Sequence, residues 1–295
     1  MQIFSPLVAF AGLAAGALAD GACSGPNART DPPAGAIVVD ATGAYKNTRL
    51  DPNTTSEQTV FVRPGVYNEQ VLISPLSGPL VLQGFTCDAM SYASNEVTIT
   101  QAKAQKDIPA EVTGEARNDM TSTVRFKSDN VKVYNLNIAN TAGNVGQALA
   151  VNVNATDYGF YACNLTGYQD TVLADKGREL YARTYINGAT DFIFGRYAQA
   201  WFESCDIETI GTGFITASGR ESESSSATYV INAPVCLPEG WSTWDATSST
   251  DKVIFKEFNN SGPGANTANP DAPVAITEVF GEGYETEWWV DSAYL

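Results

Sequence analysis

The sequence predicts an all-β solenoid, a single-stranded parallel β-helix, and three observations lead there. Short apolar runs rich in β-branched and aromatic residues follow one another from Thr59 to Phe258, with convincing helical periodicity nearly absent. Gly, Asn, Asp, Ser and Thr separate the runs. A fixed interval then recurs: Cys163, Thr184 and Cys205 are spaced 184 − 163 = 205 − 184 = 21, and Asp170 and Asp191 share the same 191 − 170 = 21.

The runs come in order. TVFVRPGVY (59–67), PLVLQGF (79–85), EVTIT (96–100), VRFKSDNVKVYNLNI (124–138) and ALAVNV (148–153) lead into YGFYACNL (158–165), ELYARTYI (179–186), AWFESCDI (200–207), ATYVINAPV (227–235) and KVIFKEF (252–258). Aligning CNLTG, TYING and CDIET at the 21-residue interval superimposes Leu165, Ile186 and Ile207. A period in the low twenties, with one position held over successive turns, marks a β-helix rather than a sandwich or propeller. Equivalent positions then stack at about 4.8 Å. Cys163 and Cys205, two coils apart, are expected about 9 to 10 Å distant, too far for a disulfide, and to be reduced and buried with Thr184 between them.

The 295 residues, 44% of them hydrophobic, suit one domain. Residues 3–19, IFSPLVAFAGLAAGALA, are a short apolar run ending in Ala17-Leu18-Ala19. They read as a secretory signal peptide over residues 1–19, although without a positive n-region, leaving 20–295 as the mature domain. The run is too short for a membrane span, which needs about 20 apolar residues, and no membrane partner is expected. Asn53, Asn154, Asn164 and Asn259 begin Asn-x-Ser/Thr sequons, which fits a secreted glycoprotein and also arises by chance in a Ser- and Thr-rich chain. Five cysteines leave at least one unpaired, so the chain is not a disulfide scaffold.

Thirty-three acidic against seventeen basic residues give −16, which excludes nucleic acid as a natural partner. No histidine is present, removing Ser-His-Asp and Cys-His chemistry and every His-ligated zinc site. Carboxylates, amides, hydroxyls, thiols or bound cations must carry any reaction. Stacked about one coil apart, Asp170 and Asp191 cannot both ionise freely, so they can divide into one nucleophile or base and one acid. Aspartate also caps turns at strand ends, and the spacing alone leaves both roles open. Gln169 precedes Asp170 and Gln147 lies 170 − 147 = 23 residues before it. Amides beside a carboxylate nucleophile can hold an oxyanion, which acyl transfer requires. Tyr168, Phe192 and Trp201 are candidates to stack on sugar rings, with Trp201 or its neighbour Phe202 expected to face the core. Arg183 and Arg196 are solvated or paired strand residues as readily as site residues.

GYQDT (167–171) and DFIFG (191–195), with GVYNEQV (65–71) and GQALAV (146–151) upstream, resemble the pectin methylesterases, or pectinesterases, of fungal type. The resemblance runs from about Ala36 to Val235 and resumes from Gly240 to the tail EWWVDSAYL. It implies a right-handed, pectin-lyase-like β-helix. It further implies a secreted monomer acting on the methyl esters of homogalacturonan in the cell wall, with no metal or organic cofactor. Residue by residue, it implies Asp191 as nucleophile, Asp170 as acid and then base, and Gln169 and Gln147 as the oxyanion donors. Tyr168 and Phe192 stand as substrate-binding candidates.

The chain departs from this family in two places. The L-G-R-P-W segment that follows the strand read here as ATYVINAPV is missing between Val235 and Trp241, and with it an arginine for the nucleophile and a tryptophan for the cleft. Arg220, in TASGR, belongs to a different segment. AYKNTRLDPNTTSE (44–57) replaces a short helix expected to cap the first coil. Two other readings compete with an esterase. A β-helical pectin glycosidase could use a similar carboxylate pair, although such polygalacturonases carry a Gly-His-Gly motif that this chain cannot form. A wall-polysaccharide binding protein without turnover would fit the missing segment.

Overall fold

The computed structural model describes residues 23–42, 49–219, 226–232, 255–258, 261–262 and 274–295. All strand pairing within its sheets is parallel, and three ladders wind into a right-handed β-helix. One ladder runs through Val71–Ile73, Val124–Phe126, Val151–Asn154, the start of Val172–Ala182, Ile193–Gly195 and Thr216–Ser218. The eleven-residue strand Val172–Ala182 continues into a second ladder, between Tyr158–Tyr161 and Tyr197–Glu203. The third, six-stranded sheet stacks Gly65–Asn68, Val97–Gln101, Asn137–Asn140, Asn164–Thr166, Tyr185–Gly188 and Asp206–Thr209.

The 21-residue interval is the coil repeat. Asn164 pairs with Tyr185 and Tyr185 with Asp206, so Leu165, Ile186 and Ile207 form a buried column. Phe160 stacks on Tyr181 at 4.8 Å and Tyr181 on Phe202 at 4.7 Å, their rings within 8° of parallel. Those centroid distances are the inter-strand spacing itself, so the aromatics add stacking to simple burial. Cys163 and Cys205 are free and buried, and Thr184 between them is buried as well. A carboxyl also enters this interior: Glu179 is fully buried between Tyr158 and Ala200, bonded by the Tyr181 hydroxyl at 2.6 Å. Burial pushes its carboxyl far up, which keeps it protonated.

Several apolar runs that read as continuous in sequence are bent by single residues in the left-handed region. Asn135, Ala162, Arg183 and Ser204 have φ of 51, 47, 52 and 51° and form a column of corners between the second and third ladders. Each of the first three donates its N–H to the next coil, to Tyr161, Ala182 and Glu203 carbonyls. That conformation costs L-residues roughly 1–2 kcal/mol, with Asn best able to adopt it. The stacked hydrogen bonds hold Ala162 and Arg183 there.

A second cluster lies outside the coils. Tyr134, Tyr161, Leu180, Trp201 and Val230 face outward and are covered by Val279, Phe280, Trp289, Val290 and Tyr294 of the C-terminal segment. Both expectations for the Trp201 pair therefore resolve as burial, Phe202 inside the coils and Trp201 beneath the tail. Arg178 fastens the tail, pairing with Glu287 at 2.5 Å and with Asp157 at 2.6 Å. Cys23 is disulfide-bonded to Cys87, with Cα atoms 4.8 Å apart, a pairing that spacing alone did not disclose. The expected signal peptide, residues 43–48 of the shortened helix region, Arg220 and the Val235–Trp241 junction lie outside the described residues.

Candidate active site

Asp170 and Asp191 occupy adjacent corners of the first ladder. Val172 pairs with Ile193, and an isolated parallel bridge joins Gln169 to Thr190, which sets Asp170 one rung from Asp191. Both adopt left-handed φ, 63° for Asp170 and 51° for Asp191, a conformation aspartate tolerates better than most residues. The Asp170 N–H bonds the Thr190 carbonyl at 3.1 Å and the Asp191 N–H bonds the Phe214 carbonyl at 2.6 Å. Backbone bonds thus fix two carboxylates at successive levels of one edge, where turn-capping aspartates would need no such register.

Their surroundings differ. Asp170 is only 6% exposed, whereas Asp191 is half-buried. Burial raises the Asp170 carboxyl to about 8, the neighbouring Asp191 charge adds to that, and a hydrogen bond from the Gln169 side chain opposes it. Asp191 is also raised by burial. Asp170, the more deeply buried of the two, keeps its proton at neutral pH. The two carboxyls thus stand in unequal surroundings, one deeply buried and one half-buried.

The glutamines flank this pair from two coils. Gln169 adjoins Asp170 and touches it. The pairing of Val151 with Val172, and the 3.1 Å bond from Ala148 N–H to the Gln169 carbonyl, bring Gln147 level with Tyr168 on the preceding coil. Gln147 is half-buried, and its carbonyl accepts the Gln105 N–H at 2.9 Å. Tyr168 is half-buried as well, its hydroxyl beside Gly211 two coils further on.

Phe192 requires correction. It is 0% exposed and packed in the interior core, so it cannot meet a sugar. The corner at Asp191 turns the chain so that Phe192 and Ile193 both enter the core, leaving Phe194 half-buried on the outer face in register with Leu173. Simple alternation would have put Phe192 and Phe194 on one face, and the left-handed residue before them breaks it. Arg183 lies away from the pair, donating from Nε to the Tyr294 carbonyl at 3.0 Å, and Arg196 is exposed.

Farther along the same ladder, Asp119 accepts bonds from Arg125 Nε at 3.0 Å, from Lys127 at 2.8 Å and from Asn152 at 2.7 Å. Burial would raise this carboxyl, but the bonds from Arg125 and Lys127 outweigh it and hold the pKa low. It is a structural ion cluster, fully ionised. Among the described residues, the one grouping of potential metal ligands is Cys23, Cys87 and Glu96, and the disulfide occupies both of its sulfurs.

A parallel β-helix with two stacked aspartates and amides alongside has the side chains that a carboxylate-based hydrolase uses. The Pectinesterase family model matches residues 38–237. The pectinesterases of Aspergillus niger and Aspergillus aculeatus are each 38% identical over 320 aligned positions, covering 90% of this chain and 94% of theirs. In structure, the pectin methylesterase from Aspergillus niger superimposes with a TM-score of 0.77 and 33% identity over 90% of this chain and all of that one. The carrot pectin methylesterase shares the fold, with a TM-score of 0.62 and 21% identity over 80% of this chain and 86% of that one. This chain belongs to the pectinesterase family.

The 320 aligned positions exceed the 295 residues of this chain, so at least 320 − 295 = 25 of them have no counterpart here. The chain is shortened internally relative to these relatives.

Proposed function

We propose that this protein hydrolyses the methyl esters of pectin, releasing methanol and leaving pectate on the homogalacturonan chain. Asp191 carboxylate attacks the ester carbonyl, and the negative charge that develops on the carbonyl oxygen is met by Gln169 and Gln147 amide N–H groups. As the C–O bond to the methoxy group breaks, Asp170 delivers its proton to that oxygen and methanol departs. A galacturonyl–Asp191 anhydride remains. Asp170, now a carboxylate, takes a proton from water as its oxygen attacks the galacturonyl carbonyl, and Asp191 leaves as carboxylate with Asp170 protonated again. The amide of Gln169 that rests on Asp170 has a second N–H for the ester.

The observation that carries this reading is the asymmetry of the pair: a buried Asp170, raised to about 8, one rung from a half-buried Asp191. A glycosidase reading is disfavoured by membership of the pectinesterase family. Tyr168 and outward-facing Phe194 line the sugar path in this account. The protein acts outside the cell after removal of residues 1–19, as a monomeric glycoprotein whose mature domain is 20–295. Among the described residues, no helix is long and apolar enough to cross a membrane. Methanol release from highly methylated pectin, without new reducing ends, is the test. Asp191→Asn should abolish release while leaving circular dichroism unchanged, and near-parental release would overturn the nucleophile assignment.

A further inference from the structure

Phe214 is a large aromatic residue left 58% exposed, and it stands beside the proposed nucleophile. Its carbonyl accepts the Asp191 N–H at 2.6 Å, which puts it one rung beyond Asp191 on the side away from Asp170. Rungs here are 4.7 to 4.8 Å apart, as the Phe160–Tyr181–Phe202 stack measures. That step is comparable with the length of a hexose ring. A lone exposed aromatic needs no explanation by itself, but the segment carrying this one is anchored against the site.

Gly213 has φ 153°, and a Cβ there would lie 2.3 Å from the Ala189 carbonyl oxygen and 2.6 Å from the Thr190 hydroxyl. A Cβ on Gly211 would lie 2.9 Å from the Ala189 side chain and 3.2 Å from the Tyr168 hydroxyl. Glycine at both positions lets residues 211–214 press directly on the corner that carries Asp191. Tyr168 stands on the coil of Asp170 with its hydroxyl reaching the coil of Phe214, and Ile210, 46% exposed, extends the apolar surface there.

We propose that Phe214 is a specificity-determining residue. Its ring is a platform for the galacturonate residue next to the one being de-esterified, and it favours that neighbour as the methyl ester over the free acid. This rests on the esterase reading above. The C–H face of a pyranose and an ester methyl are apolar and gain by covering an aromatic ring. A free carboxylate in the same place would lose water against that ring without gaining a partner. The −16 charge of the chain acts in the same direction against an acidic neighbour.

The binding test uses Asp191→Asn, which cannot turn over, and calorimetric affinities for a fully methyl-esterified and an unesterified galacturonate hexamer. Adding Phe214→Ala should weaken binding of the esterified hexamer about tenfold and change the unesterified one less than about threefold, with Phe214→Trp restoring the preference. In chains with Asp191 intact, Phe214→Ala should raise KM on highly methylated pectin with kcat held. Equal losses for both hexamers, or none, would overturn the proposal while parental methanol release leaves the esterase reading standing. Absence of methanol release from the parent, together with no binding of either hexamer, would overturn both.

Discussion

Replacing Asp170 by asparagine should make the protein more stable and nearly inactive, and the size of the stability gain is set by pH. The folded carboxyl titrates near 8 against an ordinary value of 3.8. A raised carboxyl pKa imposes no penalty below the unfolded value, because both states are then protonated, and an increasing penalty as pH climbs from there to the folded value. The penalty works out at about 2 kcal/mol at pH 5, about 4 at pH 7 and about 5 at pH 8. Asparagine cannot ionise, so its advantage over the parent should widen by about 3 to 4 kcal/mol between pH 5 and pH 8. Urea unfolding of both proteins at the two pH values measures this. Other buried acids, Glu179 among them, cancel in the difference. The same substitution should lower methanol release by roughly 10²–10⁴, the usual worth of a positioned general acid. In the parent, activity should fall as pH rises through about 8, where Asp170 loses its proton. A stability difference that stays constant from pH 5 to pH 8 would refute the assignment of the proton to Asp170.

Restoring a family-like L-G-R-P-W segment after Val235 should raise methanol release at least about 100-fold, equivalent to about 2.7 kcal/mol in barrier, by supplying a cation for Asp191; equal rates would show that another cation already serves. Trp289→Ala should cost roughly 3–5 kcal/mol in urea unfolding, since its ring is 1% exposed and meets Phe280 edge-on at 5.2 Å beneath the Arg178 clamp. Of the sequons among the described residues, Asn53 stands on an exposed turn, Asn154 bonds buried Asp175 and Asn164 has a buried amide oxygen. Mass spectrometry of secreted protein before and after deglycosylation should accordingly find a glycan at Asn53 and none at Asn154 or Asn164.

The later coils were legible because their length is constant. Leu165, Ile186 and Ile207 recur at 21 residues since each coil there spends the same number of residues on its strands and corners. Earlier coils hide the repeat: Asn164 pairs with Asn137, 164 − 137 = 27 residues back, and Asn137 with Thr98, a further 137 − 98 = 39. The segment holding the short helix Gly114–Asp119 takes up part of that excess. The aspartate pair was legible because it falls where coil length is constant. Its division into acid and carboxylate was not, since that depends on how deeply each side chain is buried. Phe192 was misplaced because the corner at Asp191 breaks strand alternation, and nothing about an aspartate in sequence announces φ 51°. Ala162 and Arg183 make the same point, as stacking rather than propensity sets their backbone. The Cys23–Cys87 bond and the tail over Trp201 are contacts between distant segments, which no local pattern encodes.

The central claim, that Asp191 forms the covalent bond and Asp170 handles the protons, is tested most directly by separating the two steps. An aryl ester of a galacturonate oligomer has a leaving group that needs no proton, whereas hydrolysis of the resulting anhydride still needs a base. Asp170→Asn should therefore release the phenol once per molecule and stall, and mass spectrometry of the quenched protein should find the galacturonyl adduct on the peptide containing Asp191. Continuous turnover of the aryl ester by Asp170→Asn, or an adduct on any other residue, would contradict the account.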